Sequence, residues 1–311
     1  MKKITILIPA YNEEEVLDKL YSRLKQVLAK LNDYHFEILF VNDGSKDRTL
    51  DIIKTLQKED TMVSYVDLSR NYGKEIAMIA GLDYATGDAV VIIDADLQDP
   101  PELIPQMLQY WKEGYDDVYA KRRSRLGETW LKKLSASTFY TMLQKFTKIP
   151  IQENTGDFRL LDRRCVEALK QLREAQRYTK GMFSWIGYNK KEILFDRDPR
   201  AAGQTKWNYP KLLDLAIEGI TSFTTAPLRF SSLLGALISI FAFIYMLIII
   251  MKTIAYGESV QGYPSLMVII LFLGGIQLLS LGIIGEYIGR IFNETKRRPL
   301  YFVDEYNGKR V

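Results

Sequence analysis

The sequence predicts an α/β fold with a mostly parallel, doubly wound sheet, followed by a hairpin of two apolar helices. Three observations carry that expectation. Short runs rich in β-branched residues alternate with stretches whose apolar residues recur at helical spacing, the pattern of a parallel sheet covered by helices. One run, Val90-Val91-Ile92-Ile93, reads as a strand buried on both faces and stops at Asp94, Asp96, Gln98 and Asp99. Beyond residue 225 the composition changes: neither Phe230–Met251 nor Ser265–Ile284 holds a charged residue.

The elements follow in order. Lys3–Pro9 is the first strand. Glu14–Leu31 places Val16, Leu17, Leu20, Leu24, Val27, Leu28 and Leu31 on one face of an amphipathic helix. Phe36–Asn42 is a strand closed by Asp43-Gly44-Ser45, and Arg48–Lys58 is a helix. Val63–Leu68 is a strand, Gly73–Thr86 a helix ended by Gly87, and Ala89–Ala95 a strand. Pro101–Glu113 is a helix entered through paired prolines, and Asp117–Lys121 another strand. After Arg122 the pattern turns helical, with helices expected over Glu128–Phe146 and Arg163–Leu172, then a strand over Lys191–Phe195. Lys211–Phe223 has an apolar face suited to lying flat at a membrane surface.

At about 1.5 Å per residue, each uncharged stretch can cross a hydrocarbon layer of roughly 30 Å. The competing reading is a pair of buried core helices. Lys252–Pro264 joins the stretches into a hairpin, so both flanks lie on one side. Lys206, Lys211 and Arg229 precede the hairpin, and Arg290, Lys296, Arg297 and Arg298 follow it. That bias places the large domain and both termini in the cytoplasm, with the protein multi-pass in the inner (plasma) membrane. Ile4–Ile8 is too short for a signal peptide. The expected organisation is 1–209 for the large domain and 210–228 for the interfacial helix. The hairpin then covers 229–285, with spans near 230–251 and 265–284, and a cytoplasmic tail covers 286–311. The Gly285–Gly289 spacing permits a homo-oligomer without requiring one.

Composition narrows the function. A net charge of +4 is too mild for a nucleic-acid binder and fits clusters facing phosphates and lipid. A single cysteine, Cys165, leaves no internal disulfide. A single histidine, His35, excludes a histidine-rich zinc site and argues against a Ser-His-Asp triad.

In open α/β sheets, ligands bind beyond the carboxyl ends of the strands. Three loops there are acidic. Ile8-Pro9-Ala10-Tyr11-Asn12-Glu13 combines a ring, an amide and a carboxylate, enough to hold a nucleobase, or simply starts a helix. Asp43 can accept from a base or ribose, or close an ordinary Asp-Gly turn. Asp94, Asp96 and Gln98 are hard oxygen ligands suited to Mg²⁺ or Mn²⁺, or an acidic turn before a helix. Asp99 is either a supporting residue or a cap for the helix starting at Pro100. Three such loops on one sheet point to a nucleotide site.

Ile8–Glu13, Val41-Asn42-Asp43-Gly44-Ser45, Asp94-Ala95-Asp96 and Gln98 resemble the signature of the inverting GT-A glycosyltransferases of family 2. That resemblance runs through about residue 225. Four further segments resemble the polyprenyl-phosphate branch: Arg70-Asn71-Tyr72-Gly73-Lys74, Asp96–Pro101, Gly156-Asp157-Phe158-Arg159-Leu160 and Gly203-Gln204-Thr205-Lys206-Trp207. That branch includes dolichol-phosphate mannose synthases and bacterial bactoprenol glucosyltransferases, and the two spans resemble the latter most. The resemblance implies that Pro9, Tyr11, Glu13, Asp43 and Asp94 bind the nucleotide, and that Asp94, Asp96 and Gln98 surround a divalent cation. Asp96 and Asp157 would be catalytic, Asp157 as base or orienting carboxylate; the alternative for Asp157 is a pair with Arg159 or Arg163. Arg200 and Lys206 would contact the diphosphate or the lipid phosphate.

A phosphate monoester is mostly dianionic at pH 7 and needs positive charge more than a strong base. Lys121-Arg122-Arg123-Ser124-Arg125 supplies it, with Lys132, Lys133 and Ser135 after it; the competing reading is contact with anionic head groups. No Gln-x-x-Arg-Trp motif of processive synthases occurs; Gln176-Arg177-Tyr178 does not fit, which argues for one sugar per turnover. The expected reaction is inverting transfer of one hexose, glucose from UDP-glucose, to undecaprenyl phosphate. GDP-mannose, UDP-N-acetylglucosamine or an amino-arabinose donor are alternatives within the same chemistry. A membrane-anchored nucleotide-sugar-binding scaffold is the non-enzymatic one.

Overall fold

A computed structural model of the protein describes residues 1–123, 152, 155–175, 177–196, 225–256 and 262–311. The expected helices over 128–146 and 211–223 lie outside these. The chain divides into two compact units, Met1–Ala216 with Arg298–Val311, and Ile217–Arg297.

The first unit is built on β1 (Lys2–Ala10), β2 (Tyr34–Asn42), β3 (Val63–Leu68), β4 (Ala89–Ile92), β5 (Asp117–Arg122), β6 (Thr155–Asp162), β7 (Lys190–Phe195), β8 (Val303–Tyr306) and β9 (Lys309–Arg310). Its helices are α1 (Leu17–Leu28), α2 (Thr49–Glu59), α3 (Lys74–Tyr84), α4 (Ile104–Lys112), α5 (Arg163–Gln171) and α6 (Thr179–Trp185). The strands form one sheet in the order β7-β5-β6-β4-β1-β2-β3-β8-β9. β1 pairs in parallel with both β2 and β4, so chain order reverses beside β1. Such a reversal opens a crevice at the carboxyl ends of these strands.

Burial explains the strands. Ile4, Ile6 and Ile8 of β1 pack with Ile38, Phe40 and Val91 under α1 and α4. On the opposite face Leu7 meets α3, where a Cβ on Gly81 would lie 2.0 Å from a Leu7 methyl. α1 begins at Leu17 rather than residue 14, because the Glu13 carbonyl first takes the N–H groups of Val16 and Leu17 in a turn. α5 begins where the Asp162 carboxylate caps the Arg164 N–H at 2.9 Å.

Two features go beyond the sequence expectation. β6 runs antiparallel between β4 and β5, and it carries Asp157. The segment expected as a tail from 286 is first helix, to Thr295, and then returns to the sheet, where β8 pairs antiparallel with β3. Glu305 accepts from Lys54 at 2.8 Å and from the Tyr65 hydroxyl, and Asn307 accepts the Tyr65 N–H at 2.8 Å.

The second unit holds α7 (Ala226–Tyr256) and α8 (Tyr263–Thr295), both longer than the uncharged stretches within them. Two segments, Pro227–Tyr245 and Phe272–Thr295, are long and apolar enough to cross a membrane. Among the described residues, protein buries 6% of the first and none of the second, unlike the mostly buried core helix of a soluble protein.

Candidate active site

The loops after β1, β2 and β3 interlock. Asn12 adopts a left-handed conformation (φ 55), donates its N–H to Ser45 Oγ at 3.0 Å and accepts from the Lys46 N–H at 2.8 Å. Glu13 and Glu14 donate their N–H groups to Thr49 Oγ1 and Asp47 Oδ2. Tyr11 leaves its ring exposed on this edge, while Pro9 stays in the sheet opposite Val41. Gly44 has φ +63, and a Cβ there would lie 2.4 Å from the Arg70 carbonyl carbon and 2.5 Å from the Asn71 nitrogen. Only glycine lets the second and third loops close this tightly.

Asp43 is nearly buried. Its two carboxylate oxygens accept the N–H groups of Tyr72 at 2.7 Å and Gly73 at 2.9 Å, and its carbonyl accepts from Asn71 Nδ2. Burial pushes its carboxyl above the usual carboxylate range against those two donors. The residue expected to bind nucleoside therefore also pins the Arg70–Gly73 loop.

Asp94 follows the end of β4. Leu97 then takes a left-handed conformation (φ 61), uncommon for a bulky residue and the kind of strain that collects at functional turns. The turn brings the Gln98 N–H to Asp96 Oδ1 at 3.2 Å and buries Gln98 and Asp99. β4 and β6 pair antiparallel as far as Ile92 opposite Arg159, and Asp94 and Asp157 lie just beyond that last pair. Two carboxylates meet there, and Lys74 lies between them, its Nζ 2.7 Å from Asp94 and 2.6 Å from Asp157. Burial disfavours the Lys74 charge, but the two carboxylates outweigh it and raise its pKa. Burial likewise opposes ionisation of Asp157, and the Lys74 ammonium outweighs it, holding the carboxyl below its usual range.

Asp157 therefore pairs with neither arginine weighed for it in the sequence. Arg159, fully buried, gives Nη1 to both oxygens of Asp117 at 3.3 and 3.0 Å and lies 3.7 Å from the Phe183 ring centre. Arg163 donates to the carbonyls of Ala85 and Gly87. Beside Lys74, Glu75 accepts the Thr179 N–H at 3.3 Å, and burial pushes its carboxyl up to about 7, with the Asp157 charge adding to the rise.

Of the basic run, Arg122 belongs to this region: a Cβ on Gly156 would lie 3.6 Å from its Nη2. Arg123 instead lies 3.7 Å from Asp196 on the surface. Lys132, Ser135, Arg200 and Lys206 lie outside the described residues. Lys74 entered the sequence reading only as the last residue of the Arg70–Lys74 motif, with no role of its own, and Glu75 did not enter it. The available signal was a glycine before a helix that starts with two charged residues, at the mouth of the crevice.

Comparison with known proteins matches this architecture. Residues 5–170 match the model of glycosyl transferase family 2, and residues 226–291 match the GtrB C-terminal hairpin. An uncharacterized glycosyltransferase of Synechocystis is 54% identical over 98% of this chain and 96% of its own length. The prophage bactoprenol glucosyl transferase homolog of Escherichia coli K12 is 46% identical over 97% of this chain and 98% of its own. The bactoprenol glucosyl transferase of Shigella phage SfX is 46% identical over the same shares. Among solved structures, S. aureus TarS 1-349 in complex with UDP-GlcNAc aligns with TM-score 0.50 at 15% identity, over 71% of this chain and 66% of that one, a likeness of fold. Sheet, crevice, acidic loops and sequence relatives agree: the chain belongs to glycosyltransferase family 2 and carries the family's GtrB-type hairpin.

Proposed function

We propose that the protein transfers one glucose from UDP-glucose to undecaprenyl phosphate, with inversion at the anomeric carbon. The observation that carries this reading is 46% identity over 97% of the chain, hairpin included, to proteins named bactoprenol glucosyl transferase. Asp43 and the Pro9–Glu13 loop would hold the nucleoside, with the exposed Tyr11 ring available for stacking.

The residues after β4 suit a divalent cation. Asp94, whose carboxylate lies 2.7 Å from the Lys74 ammonium, offers hard oxygens together with Asp96 and Gln98. Among the described residues no three acidic, histidine or cysteine side chains converge. Mg²⁺ and Mn²⁺ take one or two carboxylates and complete their shell with substrate phosphate and water. Once bound, the cation would stabilise charge on the departing diphosphate.

The acceptor's phosphate oxygen attacks the anomeric carbon while the bond from that carbon to UDP breaks. A dianionic acceptor needs no base; Asp157, held ionised, would take the proton of one arriving as the monoanion. Arg122 would hold the acceptor phosphate in line. The hairpin would keep the site near a lipid confined to the interface. Because the chain rejoins the first unit after Arg297, both ends of a membrane-crossing hairpin would lie on one face, the cytoplasmic face by charge bias. The test is a donor panel: full-length enzyme, undecaprenyl phosphate and Mn²⁺ with labelled UDP-glucose, GDP-mannose, UDP-N-acetylglucosamine or UDP-amino-arabinose. Lipid-extractable label from UDP-glucose is expected; label from another donor alone would reject glucose.

A further inference from the structure

We propose that Lys74 is a positioning residue for the transfer step, clamping Asp157 against Asp94 so that the acceptor side of the site is held in register with the donor side. The proposal rests on the glycosyl-transfer reading above and extends it to a residue with no role assigned so far. The geometry carries it. Two carboxylates, Asp94 and Asp157, converge on one ammonium, an arrangement that like charges oppose unless a cation intervenes. Lys74 Nζ lies 2.7 Å from one and 2.6 Å from the other. Its backbone is fixed from the nucleoside side, because Asp43 takes the N–H groups of Tyr72 and Gly73 immediately before it. It is fixed from below by α3, whose residues Ala77–Leu82 are buried against the sheet. A lysine at the first turn of a packed helix is placed more firmly than one on a loop. Hydrogen bonds therefore run from Asp43 through the Tyr72–Gly73 backbone and Lys74 to Asp157. A residue in that position governs where Asp157 sits without itself having to touch the sugar.

Two measurements on the full-length protein test this. In the first, kcat and donor KM are compared for wild type, Lys74→Met and Lys74→Arg with whichever donor the wild type uses. Lys74→Met should lower kcat on the order of 100-fold and leave donor KM within about threefold, with Lys74→Arg recovering part of kcat by restoring the charge. A raised donor KM with kcat intact would overturn the proposal, since Lys74 would then be a diphosphate ligand; unchanged kinetics would overturn it too. The second needs no substrate: a thermal-unfolding cycle of Lys74→Met, Asp157→Asn and the double variant. The double variant should lose less than the two singles combined; additive losses would overturn the clamp. If the wild type moves no sugar to lipid but the cycle couples, the transfer reading fails and the clamp stands.

Discussion

Replacing Gly44 with alanine is expected to damage the nucleotide end of the site. The new Cβ would sit 2.4 Å from the Arg70 carbonyl carbon and 2.5 Å from the Asn71 nitrogen. Ordinary carbon contacts lie near 3.5 Å, so the backbone must move by about 1 Å. Neither atom belongs to a flexible side chain that could swing away. The φ of +63 adds a left-handed penalty of about 1–2 kcal/mol for a residue with a Cβ. Overpacking against a fixed neighbour adds about 1–3 kcal/mol, for a total of about 2–5 kcal/mol. All four tryptophans lie before residue 217, so tryptophan fluorescence follows the first unit and not the hairpin. At about 2–4 °C per kcal/mol, the thermal midpoint should fall by roughly 4–20 °C. The shifted Arg70–Gly73 loop should also lose its bonds to Asp43 and weaken UDP binding by calorimetry. A midpoint within 1 °C of wild type together with unchanged UDP affinity would refute the close-approach argument.

Other perturbations have defined outcomes. The Glu75 carboxyl, pushed by burial from 4.5 up to about 7, binds a proton in the folded state that it has lost in the unfolded one. Stability should therefore fall as pH rises from about 4.5 to 7, by up to about 3 kcal/mol, and level off beyond; Glu75→Gln should flatten that slope in thermal scans. Arg159→Met strands the buried Asp117 carboxylate and should cost about 3–5 kcal/mol, with much of the loss recovered when Asp117 is also made apolar, as tryptophan-monitored unfolding would show. Deleting residues 300–311 removes Glu305 and Asn307 from β3 and uncovers its edge, so the shortened protein should melt lower and associate during size-exclusion chromatography.

The parallel half of the sheet was legible because its strands are continuous apolar runs, and the acidic loops were legible because they end those runs. β6 was not, because Asp157, Arg159 and Asp162 break its pattern. Arg159 is tolerated inside only because Asp117, distant in sequence, meets it there. β8 was not, because Val303-Asp304-Glu305-Tyr306 reads as a polar tail until Lys54 and Tyr65 are brought beside it. The ion pair of Lys74 with Asp157 shares this difficulty: it joins the start of α3 to β6, 83 residues apart in sequence, and no local pattern encodes that. Asp43 was legible as the acidic residue that ends β2, but its hold on the loop after β3 is a tertiary fact.

The most direct test of the account is the mass and anomeric configuration of the lipid product. Purified full-length enzyme with UDP-glucose, undecaprenyl phosphate and Mn²⁺ should yield a lipid phosphate heavier by a single glucose, whose anomeric proton reports the β configuration. A product carrying several sugars, or one retaining the α configuration of the donor, would contradict it.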